Sequence, residues 1–321
     1  MLRFLRNQKG AAAAIVGIAL PVMLGMGALV IDVGNLYLNK TQVSAAADAA
    51  VLAGAQELPK DPAAAQSIAY EYAARNGKDG DQAQATVSGT NNDTMQVTIT
   101  RNVPLIFAPV LNIGSSAVSA TATAQVSVAA SVPWIVPFVL PKTQYFDYDH
   151  VFTMRMYGAS NPYFNPKYED AKYQMDYMNV GIENTNFSQY IQYLKYGYQK
   201  KFTIGNNMQY LGPSSGGVES VNAFYDRTVR DPNTDYTKAR VGDPRVMLIP
   251  LVDSMLPRTT PEGTPMKIVG FVGFFLEEVH KEYSTKFWAK GRFLKDLNVG
   301  SGDSTSNPAY DFGVRTIKLI H

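Results

Sequence analysis

Gly212-Pro213-Ser214-Ser215-Gly216 fits the G-x-S-x-G pattern, which places a serine nucleophile on a turn between a strand and a helix. A triad on Ser214 needs a histidine base, and of His150, His280 and His321 the candidate is His280. That residue lies in the charged stretch Glu277-Glu278-Val279-His280-Lys281-Glu282, and the approach to Ser214 from Asn206 to Leu211 is polar and turn-like. A Gly/Ser loop accounts for the motif better than a nucleophile elbow does. Asp231, Asn233 and Asp235 have the opening spacing of a calcium loop, but Tyr236 stands where the glycine belongs and Gly242 where the closing glutamate belongs. With Pro232 between them, they read as a capped turn after a helix. Glu277 and His280 share a face only if their segment is helical, and no second histidine stands nearby to complete a zinc set. The chain has no cysteine, which excludes thiolate metal sites, disulfides and thiol catalysis. No catalytic residue, cofactor or metal is therefore assigned.

Two aspartates stand out by position instead. Asp32 ends the apolar run 11–31, AAAAIVGIALPVMLGMGALVI, where it either marks the lipid–water boundary or serves to place the helix or to contact a sister subunit. At about 1.5 Å per helical residue the run reaches roughly 31 Å, the thickness of a bilayer's hydrocarbon core. The stub before it, residues 1–10, carries Arg3, Arg6 and Lys9 and no acid, which holds that end in the cytoplasm and sends the bulk of the chain outward. A cleaved secretory signal is the alternative, but its apolar core is shorter, and the Ala45-Ala46-Ala47 triplet lies far downstream. Asp48 sits among Ala46, Ala47, Ala49 and Ala50 with Gly54 beyond, a small-residue surface suited to close packing with a partner or with the chain's own domain.

The elements that position these residues follow from periodicity. Val33, Leu36, Tyr37, Val43, Ala47, Ala50, Val51, Gly54 and Leu58 keep helical spacing up to Pro59, so one helix is expected to run about 48 residues, roughly 72 Å. Asp61, Pro62 and Gly77 cap, begin and close a second helix. Residues 85–88 and 95–100 form a hairpin, residues 103–111 a short helix begun by Pro104, residues 118–128 a third strand, and residues 129–133 a linker. Strands are expected at 134–140, 202–204, 246–252, 267–275, 287–294 and 314–320, with helices from Ser188 to Gly197 and over residues 218–229. Net charge is +2 with no basic cluster beyond the stub, so no nucleic-acid footprint is present. Fourteen of the 19 tyrosines fall between Tyr145 and Tyr236, packed on sheet faces or gathered at a surface.

Lys9-Gly10, Asp32-Val33-Gly34 and the stretch from Ala46 to Ala55, AADAAVLAGA, resemble the N-terminal segment of the TadE/TadG-like Flp (tight adherence) pilus-assembly family, a likeness covering about 55 residues. The later order of helix, hairpin, Pro-Leu-Ile-Phe and Val-Ser-Ala-Thr-Ala strand is similar to that family's small α/β unit. Prepilins cut after glycine usually carry glutamate at the fifth mature position, where Ile15 would stand after cutting at Gly10, so the chain resembles the uncleaved TadG-type branch. The resemblance implies an α+β protein: a cytoplasmic stub (1–10), a single transmembrane helix (11–31), an extended helix with a small pseudopilin-like α/β domain (32–130), and a β-rich extracytoplasmic domain (134–321). It implies a non-catalytic subunit or anchoring factor of the cell membrane. Its partners would be the major Flp pilin, TadE/TadF-like subunits, the inner-membrane Tad platform and membrane lipid. The family-motif positions are Lys9, Gly10, Asp32, Gly34, Asp48 and Gly54. A membrane-tethered adhesin or glycan-binding protein, with exposed aromatic rings in one groove, is the alternative.

Overall fold

The computed structural model describes residues 8–156, 171–182, 185–211, 218–257, 259–283, 286–300, 302–305 and 307–320. The chain divides into two compact units, Met1–Gln125 with Leu319–His321, and Val126–Lys318.

The first unit is organised on helix α1, Gln8–Gly54, which is continuous through Pro21. A single 3-10 turn, Ala55–Glu57, follows, so α-helical geometry stops short of Leu58. Helix α2 spans Pro62–Asn76; the Asp61 side chain accepts a hydrogen bond from the Ala64 N–H at 2.9 Å, and Gly77 closes the helix. Strands β1 (Gln82–Ser88) and β2 (Thr94–Pro104) form an antiparallel hairpin, and β3 (Ser115–Ala129) lies antiparallel to β2, from Thr94 opposite Gln125 to Pro104 opposite Ser115. Alternation sorts the two faces of β2. Met95, Val97, Ile99 and Val103 are buried. Thr98 and Thr100 reach across to Thr121 (2.9 Å) and Ser119 (3.0 Å) on the other side. The short helix expected from Val103 does not form. Val103 belongs to β2, Pro104 sits at the strand's end where a missing N–H is tolerated, and only Ala108–Leu111 makes a 3-10 turn.

The second unit contains the strands β4 (Ser131–Val132), β5 (Phe138–Pro141), β6 (Phe152–Met156), β7 (Gln174–Gly181), β8 (Phe202–Thr203), β9 (Asn207–Tyr210), β10 (Val246–Val252), β11 (Pro265–Tyr283) and β12 (Lys286–Leu294), with helices α3 (Phe187–Tyr196) and α4 (Val218–Arg230). Residues read as a linker are instead structural. Ser131 and Val132 pair with Thr203 and Phe202, and Val132 is fully buried. Pairings β10–β5–β7–β6–β12–β11, together with β10–β11, close a circuit of strands. Every residue of β10 is buried, which explains its unbroken apolar sequence VMLIPLV. One set of strand side chains packs with Tyr190 and Leu194 of α3 and Ala223 and Phe224 of α4, while a second apolar cluster includes Val246, Leu248, Phe271 and Phe275.

Candidate functional site

Helix α1 changes environment at Asp32. Over residues 13–31 no side chain is buried within the protein, and all are exposed except Ala19 and Ala28, which are half-buried. From Asp32 onward one face is covered: Val43, Ala46, Ala47, Ala50 and Val51 are buried, as are Ala65, Ala69 and Ala73 on α2. These alanines allow the close approach of the two helices. Gly54 is required there. A β-carbon at this position would lie 2.6 Å from the Ala65 carbonyl oxygen and 2.6 Å from Met95 Sδ. Gly34 is the opposite case, with nothing within 4 Å of such an atom. Asp48 is half-buried beside the packed alanines, and Lys9 and Gly10 fall in the first turn of α1.

Asp32 is a structural clip. It is only 5% exposed. Its Oδ1 accepts the Ile106 N–H (2.7 Å) and its Oδ2 accepts the Phe107 (3.1 Å) and Ala108 (2.8 Å) N–H groups. Burial pushes this carboxyl up, but the Ile106, Ala108 and Phe107 N–H groups together outweigh it and hold the residue below the ordinary aspartate value. One turn on, Asn35 Nδ2 donates to the Pro104 carbonyl at 3.3 Å. The helix is thus fixed to Pro104 and the loop after it by polar contacts at the end of its apolar run.

A second lock lies farther along α1. Arg101 of β2 grips Asp81 with two hydrogen bonds of 2.7 Å, and its third nitrogen donates to Asn39 (3.0 Å) and Gln42 (2.9 Å) of α1. The side chains of Arg101 and Asp81 are each 7% exposed. The Arg101 hydrogen bonds hold the Asp81 carboxyl below its ordinary value, against the opposing effect of burial. Spacing arguments missed this pair. The one available signal was an arginine at an inward-facing position of an alternating strand.

Residues 10–57 match the family model described as putative Flp pilus-assembly TadE/G-like. The N-terminal segment is TadE/G-like. The matched stretch coincides with α1 and its terminal 3-10 turn. It contains both the bare run, long and apolar enough to cross a membrane, and the half from Asp32 onward that carries Asp32, Gly34, Asp48 and Gly54. Neither the curated proteins nor the solved structures yield a match.

The chemical motifs of the second unit resolve differently. Ser214 and the rest of residues 212–216 lie outside the described residues. His280 is on strand β11, so Glu277 and His280, three apart, point to opposite sides of a strand and cannot pair as helical neighbours. Asp231, Asn233 and Asp235 accept the backbone N–H groups of Asn233 (3.0 Å), Asp235 (3.0 Å) and Thr237 (3.1 Å), a chain of side-chain-capped turns after α4. Two buried arginines hold this corner together. Arg227 donates to the carbonyls of Leu194 (2.6 Å), Pro244 (2.7 Å) and Val246 (3.2 Å), and Arg245 to those of Asp231 (2.7 Å), Leu276 (2.9 Å), Glu277 (2.7 Å) and Thr228 (3.2 Å). Burial lowers the pKa of both.

Beside Arg227 lies a cleft of about 280 Å³ lined in part by Trp134, Tyr196, Gln199, Lys195, Arg230 and Asp243. Trp134 is 42% exposed and Tyr196 49% exposed. Trp134 has a φ of 56°, a left-handed conformation unusual for a bulky residue. Gly197 makes the approach possible, since a β-carbon there would sit 2.5 Å from the Trp134 carbonyl oxygen.

Proposed function

We propose that the protein is a non-catalytic, membrane-anchored component of a Flp/Tad-type pilus system, either a minor pilin-like subunit or an assembly and anchoring factor. The observation that carries this reading is the coincidence of the TadE/G-like match at residues 10–57 with one helix whose first half is bare and apolar. Arg3, Arg6 and Lys9, with no acid in the stub, support a cytoplasmic N-terminus with the two folded units outside. The exposed half of α1 packs on lipid and on the helices of major Flp pilin and TadE/TadF-like subunits at the inner-membrane Tad platform. With van der Waals contact as the main attraction in lipid, close approach at small residues favours that packing. Gly34 has open space around it and suits such approach, while Asp32 and Gly54 shape the pseudopilin-like unit that presents the helix. The chain is retained uncleaved at Gly10.

A deletion strain tests the assignment. Loss of Flp pili or of adherence, restored by the intact gene, is the expected result; normal pili and normal adherence refute it. Intact mass of protein from membranes and from sheared filaments reports the state of Gly10.

The second reading, a membrane-tethered glycan-binding adhesin, is favoured by the cleft, where Trp134 and Tyr196 offer exposed rings beside Gln199, Lys195 and Asp243. Quenching or shift of tryptophan emission on adding oligosaccharide, abolished by Trp134→Ala, supports it; an unchanged spectrum across a glycan panel removes it.

A further inference from the structure

The loop after β2 exposes a group of large apolar side chains. From Asn102 to Gly114 the sequence NVPLIFAPVLNIG contains no charged residue. Val110 is 90% exposed and Ile106 61%, with Phe107 and Ile113 also exposed. Such side chains grouped on a water-facing loop are unfavourable, and a contiguous apolar patch of this kind marks a contact surface. The loop is preformed. The Leu105 N–H donates to the Gly114 carbonyl at 3.1 Å, the Ile113 N–H to Ala108 at 3.2 Å and the Asn112 N–H to Pro109 at 2.9 Å, with Asn112 in the left-handed region at a φ of 65°.

What covers it is indicated by where it is fastened. The chain enters the loop with the Pro104 carbonyl bonded to Asn35 and then reaches Asp32 through Ile106, Phe107 and Ala108. Three residues of helix separate those levels, about 4.5 Å. The chain thus passes from the level of Asn35 to that of Asp32, next to Ile31, the last residue of the apolar run, and the 3-10 turn Ala108–Leu111 that follows carries Val110. The 3-10 turn Ala108–Leu111 lies against α1, so the exposed apolar side chains of the loop adjoin the helix at the end of its apolar run.

We propose that residues 105–113 form a second membrane contact. In it Ile106, Phe107, Val110 and Ile113 enter the outer headgroup–acyl boundary beside the spanning helix, and Asp32 is the buried latch that holds the loop at that depth. Interfacial apolar segments of other proteins sit roughly 5–10 Å into that boundary. Two contacts fix the tilt and rotation of the first unit on the bilayer, which a single helix leaves free. The proposal rests on reading residues 11–31 as a membrane anchor.

The absence of cysteine makes a direct test simple, since each introduced cysteine is the sole labelling site. Val110→Cys, Leu24→Cys in the apolar run and Ser67→Cys on the exposed side of α2 each carry an NBD fluorophore on the full-length protein. The protein is reconstituted in phosphatidylcholine–phosphatidylglycerol vesicles with nitroxide lipids labelled either near the headgroup or deep in the acyl chain. The label on V110C is expected to shift to the blue and to lose at least half its emission to the shallow nitroxide. The label on L24C responds more to the deep nitroxide, and that on S67C to neither. If V110C behaves like S67C while L24C is quenched, the loop proposal is overturned and the anchor stands; if L24C also fails to respond, the anchor reading falls with it.

Discussion

The two halves of α1 share a composition of alanine, glycine, leucine and valine and differ in what covers them. Residues 13–31 are bare of protein, whereas between Val43 and Leu58 a stripe of alanines with Gly54 is sealed against α2 and β2. Small residues on a helix therefore do not by themselves identify a partner surface: Ala46, Ala47 and Ala50 are already occupied by the chain's own domain. The boundary between the halves is chemical. Asp32 and Asn35 supply the first polar side chains after the apolar run, and both are engaged by the loop after β2.

The sharpest way to break this contrast is to shorten one leucine in the bare half and the buried leucine just past the packed half's end. Leu58→Ala removes a fully buried side chain and is expected to destabilise the first unit by about 2–5 kcal/mol in a thermal melt in detergent. Leu24→Ala, in the bare half, leaves that melt unchanged. A comparable loss for both would mean that the bare half is covered by protein.

Next in size is the Arg101–Asp81 pair. Arg101→Met leaves the buried Asp81 carboxylate unpaired and should cost about 3 kcal/mol. The folded pKa of Asp81 is depressed, so its contribution is complete above about pH 4, the unfolded value, and drains as pH falls through the lower folded value. Acid titration of the melting temperature should therefore show a downturn below about pH 4 that is shallower in Arg101→Met. An unaltered acid limb would show that Asp81 draws no stability from Arg101.

The two glycines give a smaller but cleaner contrast. Gly54→Ala presses a methyl onto the Ala65 carbonyl and Met95, an overpacking expected to cost about 1–3 kcal/mol. Gly34→Ala has open space and gains helix propensity, so it should leave the fold unchanged or stabilise it by about 0.5–1 kcal/mol. Reduced piliation in a fold-neutral Gly34→Ala strain would then report a partner contact rather than misfolding. The smallest effect is local: Asp32→Ala is expected to speed hydrogen exchange first at the Ile106, Phe107 and Ala108 amides, by roughly tenfold or more, with β1 and β2 unaffected. Equal exchange in both proteins would remove Asp32 as the latch.

What could be read from the sequence was what periodicity and caps encode. The apolar run, α2 between Asp61 and Gly77, and the strands 246–252 and 314–320 stand where patterning places them. The losses have physical causes. Strand β7, QMDYMNVG, carries polar residues whose burial is satisfied only in three dimensions, as where Tyr190 donates to Asn179 at 2.7 Å. Helix α3 is capped by Asn186 rather than Ser188, because Asn186 and Gln189 form a reciprocal capping box. The charged stretch from Glu277 is strand because β12 supplies its hydrogen-bond partners, a non-local pairing that local composition does not reveal. Of the motif residues, Asp32 was legible as a boundary but not as an acceptor of three backbone N–H groups, since its partners lie more than 70 residues away.

The central claim is that α1 is half membrane anchor and half domain scaffold, divided at Asp32. Single-cysteine variants at Leu24, Leu29, Tyr37 and Leu38, all exposed on the helix surface, test it through reaction with a membrane-impermeant maleimide on intact spheroplasts. The account predicts no labelling at Leu24→Cys and Leu29→Cys and full labelling at Tyr37→Cys and Leu38→Cys. Labelling of all four positions, or release of the intact chain into the soluble fraction, would contradict it.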